Sequence, residues 1–191
     1  MRIRTNLLIA VIMTVVTTVL LGVVYPLVVT GLAQALFRDR ANGQLVERNG
    51  RVIGSAIIGQ NFTADRYFHG RPSAAGNGYD AANSGGSNLA QSNQALYDRI
   101  NASIAAYQKQ NPGKPVPVEL VTTSASGLDP EISPAAAEYQ VHTVAAARHQ
   151  SDDAIRSVVQ AHVQGRQFRI LGEPRVNVLA LNLDLDQRFG K

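Results

Sequence analysis

Four histidines, His69, His142, His149 and His162, are the chain's imidazole candidates for metal ligation or general base work, and their spacing suits neither. His142 and His149 fall seven apart on one expected helix, with no acidic partner at i+3 or i+4, which fits ordinary surface or core roles better than a metal site. Ser124-Ala125-Ser126-Gly127 offers two hydroxyls, but the G-x-S-x-G elbow is missing and no local base is indicated. Asp129-Pro130-Glu131 could supply paired carboxylates, although acids placed in a loop before a helix more often turn the chain or cap it. Ser84-Gly85-Gly86-Ser87-Asn88 could cradle an anion with backbone N–H groups, or simply make a tight turn before the next helix. Arg71, beside Pro72 in an aromatic-rich loop, is the best single candidate for a specific contact, because its planar fork suits bidentate pairing; a structural salt bridge or carbonyl clamp competes. No Gly-rich turn leads into Gly-Lys-Ser/Thr, so a Walker-type phosphate loop is excluded. The absence of cysteine excludes disulfides, thiolate metal sites and a Cys nucleophile.

The elements that would position these residues begin with an apolar run. Between Arg4 and Arg38 there is no Asp, Glu, Lys or Arg, and Leu7 to Val29 are mostly Leu, Ile and Val. About 20 such residues cross roughly 30 Å of hydrocarbon, so residues 7–36 are expected to span a bilayer, with Pro26 and Gly31 kinking or ending the helix near its far side. Ala33-Gln34-Ala35 resembles a signal-peptidase site, but signal h-regions run only about 7–15 residues, so an uncleaved anchor is the better reading. Arg2 and Arg4 against Arg38 and Arg40, with Asp39 between the latter two, give a modest preference for residues 1–6 as a cytoplasmic tail and 37–191 as an extracytoplasmic domain. Without Arg2 and Arg4 the remaining sixteen basic and fourteen acidic residues leave a charge of +2, interspersed, which gives no nucleic-acid footprint.

Within that domain, Leu45–Glu47 and Val52–Ile58 flank Asn49-Gly50 and read as a hairpin. Residues 59–87 are rich in Gly, Asn, Ser and Pro, with Phe62, Tyr67, Phe68 and Tyr79 among them. A disordered linker would lack such aromatics, so an ordered irregular loop is expected, where binding residues tend to sit. Helices are expected from Ser92 to about Lys109, from a Ser133-Pro134 start to about Arg148, and from Ser151 to about His162. Val116–Val121 and Phe168–Leu171 read as strands. In Leu179–Leu185 leucine alternates with Ala180, Asn182 and Asp184, which suggests a strand, with a helix capped by Asn177 as the alternative. The fold class is therefore one N-terminal transmembrane helix followed by a single mixed α+β soluble domain.

Five stretches occur in order behind the anchor: Gly59-Gln60-Asn61-Phe62-Thr63, Tyr67-Phe68-His69-Gly70-Arg71-Pro72-Ser73, Ser84 to Leu89, Ser124-Ala125-Ser126-Gly127-Leu128-Asp129-Pro130, and Gly172-Glu173-Pro174-Arg175-Val176-Asn177-Val178-Leu179. With Tyr25-Pro26 in the anchor, they make essentially the whole chain resemble KdpC, the C-subunit family of the bacterial Kdp-type potassium-transporting ATPases. The resemblance implies an accessory subunit of a high-affinity potassium importer of the bacterial inner membrane. Its partners would be a channel-like potassium-binding subunit, a P-type ATPase subunit, a small peptide subunit and membrane lipid, and ATP and potassium would be used by the complex. The chain has neither a Thr-Val-Gly-Tyr-Gly filter nor an Asp-Lys-Thr-Gly phosphorylation motif, so no chemistry of its own is expected.

Gln60, Asn61, Phe62, Arg71, Asn88, Asp129, Arg175 and Asn177 become the candidate partner-contact or structural residues. Two family roles conflict: a catalytic chaperone raising the ATPase subunit's affinity for ATP, and a domain outside the cell over the potassium entrance. Gln150-Ser151-Asp152-Asp153-Ala154, where a Leu-Ser-x-x-Gln nucleotide contact would fall, lacks the Leu and the Gln and carries two carboxylates, which argues against direct ATP contact. A membrane-anchored extracytoplasmic hydrolase is the alternative from another class.

Overall fold

A computed structural model describes residues 2–190, which divide into two compact units at the boundary between Leu45 and Val46. The first is dominated by one continuous helix, Arg2–Leu36, made of α1 (Arg2–Val19), a π-helical turn (Leu20–Val24) and α2 (Tyr25–Leu36). Its 35 residues rise about 52 Å at 1.5 Å each, well beyond the roughly 30 Å of a hydrocarbon core. The π turn has an identifiable cause. Pro26 has no N–H to give the Gly22 carbonyl and its ring crowds that oxygen, so the helix widens just before it. Thr14 and Thr17 donate their hydroxyls to the carbonyls of Ala10 (2.8 Å) and Met13 (2.7 Å). Those polar groups are thereby satisfied within the helix, as a hydrocarbon environment requires. No residue of the helix is buried. A single turn, α3 (Arg38–Ala41), follows.

The domain starts with the expected hairpin, β1 (Leu45–Arg48) and β2 (Arg51–Ser55). Asn49 and Gly50 both have positive φ (53° and 73°), as a turn that matches strand twist demands. After an irregular stretch containing one 3-10 turn (Ala81–Asn83) comes α4 (Gln94–Gln110), opened by Asn93, whose Oδ1 accepts from the Ala95 N–H at 2.9 Å. β3 (Glu131–Ile132) leads into α5 (Pro134–Arg148), capped by Ser133 with proline in the first turn, and α6 (Asp152–His162) is capped by Ser151. Then come β4 (Val163–Gln164), β5 (Arg175–Asn177) and α7 (Val178–Phe189). The strands form a small antiparallel sheet in the order β3-β5-β4, with Ile132 and Val163 both opposite Val176. The core lies where α5, α6, α7 and this sheet meet: Ile132, Val141, Val144, Ile155, Val158, Val159, Val176, Leu181 and Leu185, joined by Phe68 and Leu120 from the loops.

Three expected strands are absent. Leu179–Leu185 is helical: Val178, Leu181, Asn182, Leu185 and Asp186 form the i, i+3, i+4, i+7, i+8 stripe of a helix, with Leu179 buried beside it. Asn177 caps it through Oδ1, accepting from Ala180 N–H at 3.0 Å, as the alternative reading held. Val116–Val121 instead makes a 3-10 turn (Val118–Leu120); Pro117 ahead of it lacks the donor a ladder needs. Phe168–Leu171 is a turn closed by Gln167 and Leu171, with its apolar side chains in solvent.

Candidate functional site

Residues 59–87 are held as an ordered face by hydrogen bonds to the Ser124–Pro130 segment. Gly59 N–H donates to Leu128 O (2.8 Å) and Gly85 N–H to Ser126 O (2.8 Å), while Ser84 Oγ also donates to Ser126 O at 2.9 Å. Ser73 Oγ donates to Gly127 O at 2.6 Å and accepts from the N–H of Tyr79 at 2.7 Å. Gly127 must be glycine twice over: its φ is +65°, and a Cβ would lie 2.7 Å from Ala75 N and 2.8 Å from Gly85 O. Gly59 has no such φ, but a Cβ there would press on Asp129 O at 2.5 Å. In the Ser84–Asn88 segment the Gly85 N–H and the Ser84 hydroxyl are thus both spent on Ser126 O.

Arg71 is the centre of this face. Its Nη1 pairs with Asp129 Oδ2 at 3.2 Å, and Nε and Nη2 donate to the carbonyls of Thr122 (3.4 Å) and Thr123 (3.2 Å). The guanidinium is thus both a salt bridge and a carbonyl clamp. Asp129 Oδ1 accepts from Glu131 N–H at 3.1 Å, an acid turning the chain. The carbonyl of Arg71 accepts from the Tyr79 hydroxyl at 2.6 Å. Burial, reinforced by the nearby negative Asp129, pushes the Tyr79 phenol up to about 12.

The eight candidate residues separate into groups. Arg71, Asp129 and Arg175 line one cleft of about 550 Å³ together with Glu131; Arg175 Nε lies 2.8 Å from Glu131 Oε1, without the alignment of a hydrogen bond. Asn61, Phe62 and Arg71 line a second cleft of similar volume, against Ser103, Ala106 and Tyr107 of α4. Gln60 and Asn177 are clamps. Gln60 Nε2 donates to Ile53 O (2.9 Å) on β2, and Asn177 Nδ2 to Ala56 O (2.7 Å) just past it, which ties the hairpin to the start of α7. Asn88 is exposed, in a left-handed conformation (φ 51°).

Sequence reasoning missed the polar residues that hold the site from behind. Phe68 and His69 run without a strand partner, yet their backbones are paired by side-chain amides. Phe68 N–H donates to Asn182 Oδ1 (2.8 Å) and Asn182 Nδ2 to Phe68 O (2.9 Å), while Gln140 does the same for His69 (2.8 and 3.1 Å). Arg148 and Asp186 form a buried pair at 2.9 Å, with Arg148 also donating to Arg66 O (2.6 Å) and Gly190 O (3.0 Å). The Tyr67 hydroxyl donates to Asp186 Oδ2 at 3.0 Å, and its pKa is raised, first by burial and then by that hydrogen bond to Asp186. A helical reading of residues 178–189 would have put Asn182 and Asp186 on the buried stripe and flagged both.

The hydroxyls singled out in the sequence are used locally. Ser124 Oγ and Ser126 Oγ accept from the N–H groups of Gly127 (2.9 Å) and Leu128 (3.1 Å), and among the described residues neither has a histidine partner. Ser151 Oγ is occupied in capping α6, accepting from Ala154 N–H at 3.2 Å.

The motif segments that meet on this face can be set against known proteins. A family model described as KdpC, K+-transporting ATPase, c chain, matches residues 7–187. The chain belongs to the KdpC family. It is 61% identical over 183 residues to the potassium-transporting ATPase KdpC subunit of Koribacter versatilis, covering 96% of this chain and 95% of that protein. It is 57% identical over 178 residues to the KdpC subunit of Acidobacterium capsulatum, covering 93% and 96%, and 55% identical over 186 residues to that of Methylobacterium nodulans, covering 91% and 92%. As a KdpC-family chain it is a subunit of a K+-transporting ATPase, with one N-terminal helix long and apolar enough to cross a membrane. Within that family framework, the Gly59, Tyr67, Ser84 and Ser124 stretches are stitched to one another, and the Gly172 stretch supplies β5 and the cap of α7.

Proposed function

We propose that this chain is a non-catalytic accessory subunit that contributes binding energy and stability to an ATP-driven potassium import complex. The observation that carries the reading is the helix Arg2–Leu36, no residue of which is buried by the chain itself. Its apolar surface calls for lipid and for neighbouring helices. Gly22 and Gly31 leave open surface on it, a Cβ at Gly31 meeting nothing within 4 Å, and with Thr17, Thr18 and Thr30 they allow close helix approach. The channel-like, P-type ATPase and small peptide subunits are the proposed neighbours. The Gly59–Ser87 face, rigid because its polar groups are bonded internally, is the proposed seat of the domain on them, with Asn61, Asn88 and the Arg71–Asp129 and Glu131–Arg175 pairs at or near its surface.

Arg2 and Arg4 support a cytoplasmic N-terminus and an extracytoplasmic domain. On that side cytoplasmic ATP is out of reach, so any rise in the ATPase subunit's affinity for ATP is transmitted through subunit packing. Protease protection tests this placement: digestion of the domain in right-side-out vesicles is expected, and digestion only in inverted vesicles would overturn it and reopen direct nucleotide contact. The hydrolase alternative has no support in the site, since the Ser124 and Ser126 hydroxyls shape the turn they sit in.

A further inference from the structure

The turn that replaces the expected strand at Phe168–Leu171 is built in an unusual way. Phe168 and Arg169 both have positive φ (51° and 67°), and Ile170 N–H donates across them to Gln167 O at 3.1 Å, the geometry of a type I′ turn. Such turns favour Asn and Gly, and a bulky aromatic with positive φ is strained. Strain of this kind persists where the displayed side chains serve a purpose. Here it sets Phe168 (86% exposed), Ile170 (74%) and Leu171 (54%) side by side in solvent, with Arg169 exposed between them.

We propose that this turn inserts into the interface of the bilayer that anchors the chain, with Phe168, Ile170 and Leu171 among the acyl-chain boundary atoms and Arg169 on anionic phospholipid headgroups. Three observations support lipid as the occupant. First, four of the five N–H groups of residues 167–171 are donated within the turn: Gln167 N–H and Leu171 N–H each to the other residue's carbonyl at 2.9 Å, Ile170 N–H to Gln167 O, and Arg169 N–H to Arg166 O at 3.1 Å. Shallow insertion at the interface therefore leaves the Phe168 N–H and the carbonyls of residues 168–170 to headgroups and interfacial water, while the other donors are already spent. Second, the helix Arg2–Leu36 can project roughly 20 Å past a 30 Å hydrocarbon core, and residues 37–44 add about 27 Å at full extension, so the chain tethers the domain within reach of the membrane surface. Third, the tip is narrow and bounded by Gly165, Arg166, Gly172 and Glu173. Three side chains fall short of the roughly 800 Å² per partner of a standard protein interface, yet suit interfacial insertion alongside a basic residue. Arg166 is held by Glu173 at 2.6 Å, which leaves Arg169 to meet the headgroups.

The inference rests on the helix Arg2–Leu36 being a bilayer anchor. Because the chain has no cysteine, Phe168→Cys in the full-length chain can carry an environment-sensitive dye, with Gln150→Cys at the exposed α5–α6 junction as the aqueous reference. In vesicles of mixed anionic and zwitterionic phospholipid holding this chain alone, the dye at position 168 should emit to the blue of that at 150. It should also be quenched several-fold more by brominated lipid than by aqueous iodide. Adding Arg169→Glu to a dye-labelled Ile170→Cys chain should move the emission back toward the red in anionic vesicles. A label at 168 as wet as the one at 150 would overturn the proposal. So would a label that becomes dry only when the other ATPase subunits are present and that brominated lipid cannot reach, since the turn would then dock on protein. Failure of the chain to float with the vesicles would overturn the anchor reading itself.

Discussion

The N-terminal helix and the loop face of the domain satisfy their chemistry in opposite directions. In the helix the backbone and the Thr14 and Thr17 hydroxyls are closed internally, and every large apolar side chain is left to the outside. In the loop face the aromatic Phe68 is fully buried, and irregular backbone that no sheet accommodates is paired by Asn182, Gln140, Ser73 and Arg71. The contrast separates two kinds of specificity. The helix gains definition only from what packs against it, while the loop face is defined before any partner arrives. Substitutions should sort the same way, into those that unfold the domain and those that loosen the complex.

The largest effect is expected from Arg148→Ala, which strands the Asp186 carboxylate in a buried site (side chain 5% exposed). A loss of about 3–5 kcal/mol should appear in denaturant titrations of the detergent-solubilised chain, followed by tyrosine emission since there is no tryptophan. Replacing both partners, Arg148→Met with Asp186→Leu, should recover much of it. Asn182→Leu comes next, at ~1–3 kcal/mol for each of the two Phe68 backbone groups it strands, read in the same titration. Gly127→Ala should cost more than about 1 kcal/mol, because alanine both resists φ +65° and collides with Ala75.

Smaller still is an alkaline effect centred on Tyr79. Its phenol sits at about 12 when folded against 10.0 as the ordinary value. The unfolded chain therefore loses that proton first, and the associated stability is complete below pH 10 and is lost as pH rises from 10 toward 12. Tyr79→Phe should flatten that window, and absorbance titration of tyrosinate should show one late phenol disappear. At the far end of the comparison, Gly22→Ile on the exposed helix should leave domain stability within about 0.5 kcal/mol. Recovery of the intact complex should nevertheless fall.

The sequence revealed the parts of this architecture governed by local rules. Ser133-Pro134, Ser151 and Asn49-Gly50 mark their helix starts and turn because capping and positive-φ geometry are decided within a few residues. Segments governed by tertiary context were harder. The leucines of 179–185 alternate and also fit a helical stripe, and only the packing of Leu181 and Leu185 into the core decides between the two. Arg71 and Asp129 could be singled out by type, but 58 residues of sequence separate partners that the fold brings to 3.2 Å. Gln140 and Arg148 gave no signal, since a polar residue on an amphipathic helix reads as surface until its burial is known.

The claim that this chain supplies binding and no chemistry is tested most directly by recovery of the potassium pump from membranes expressing the remaining subunits with and without it, alongside potassium-stimulated ATP hydrolysis. The account predicts loss of the intact complex and its hydrolysis without the chain, and restoration of both by a chain carrying Ser126→Ala. An intact, fully active pump in the chain's absence would contradict it, as would an assembled but inactive pump with the serine variant.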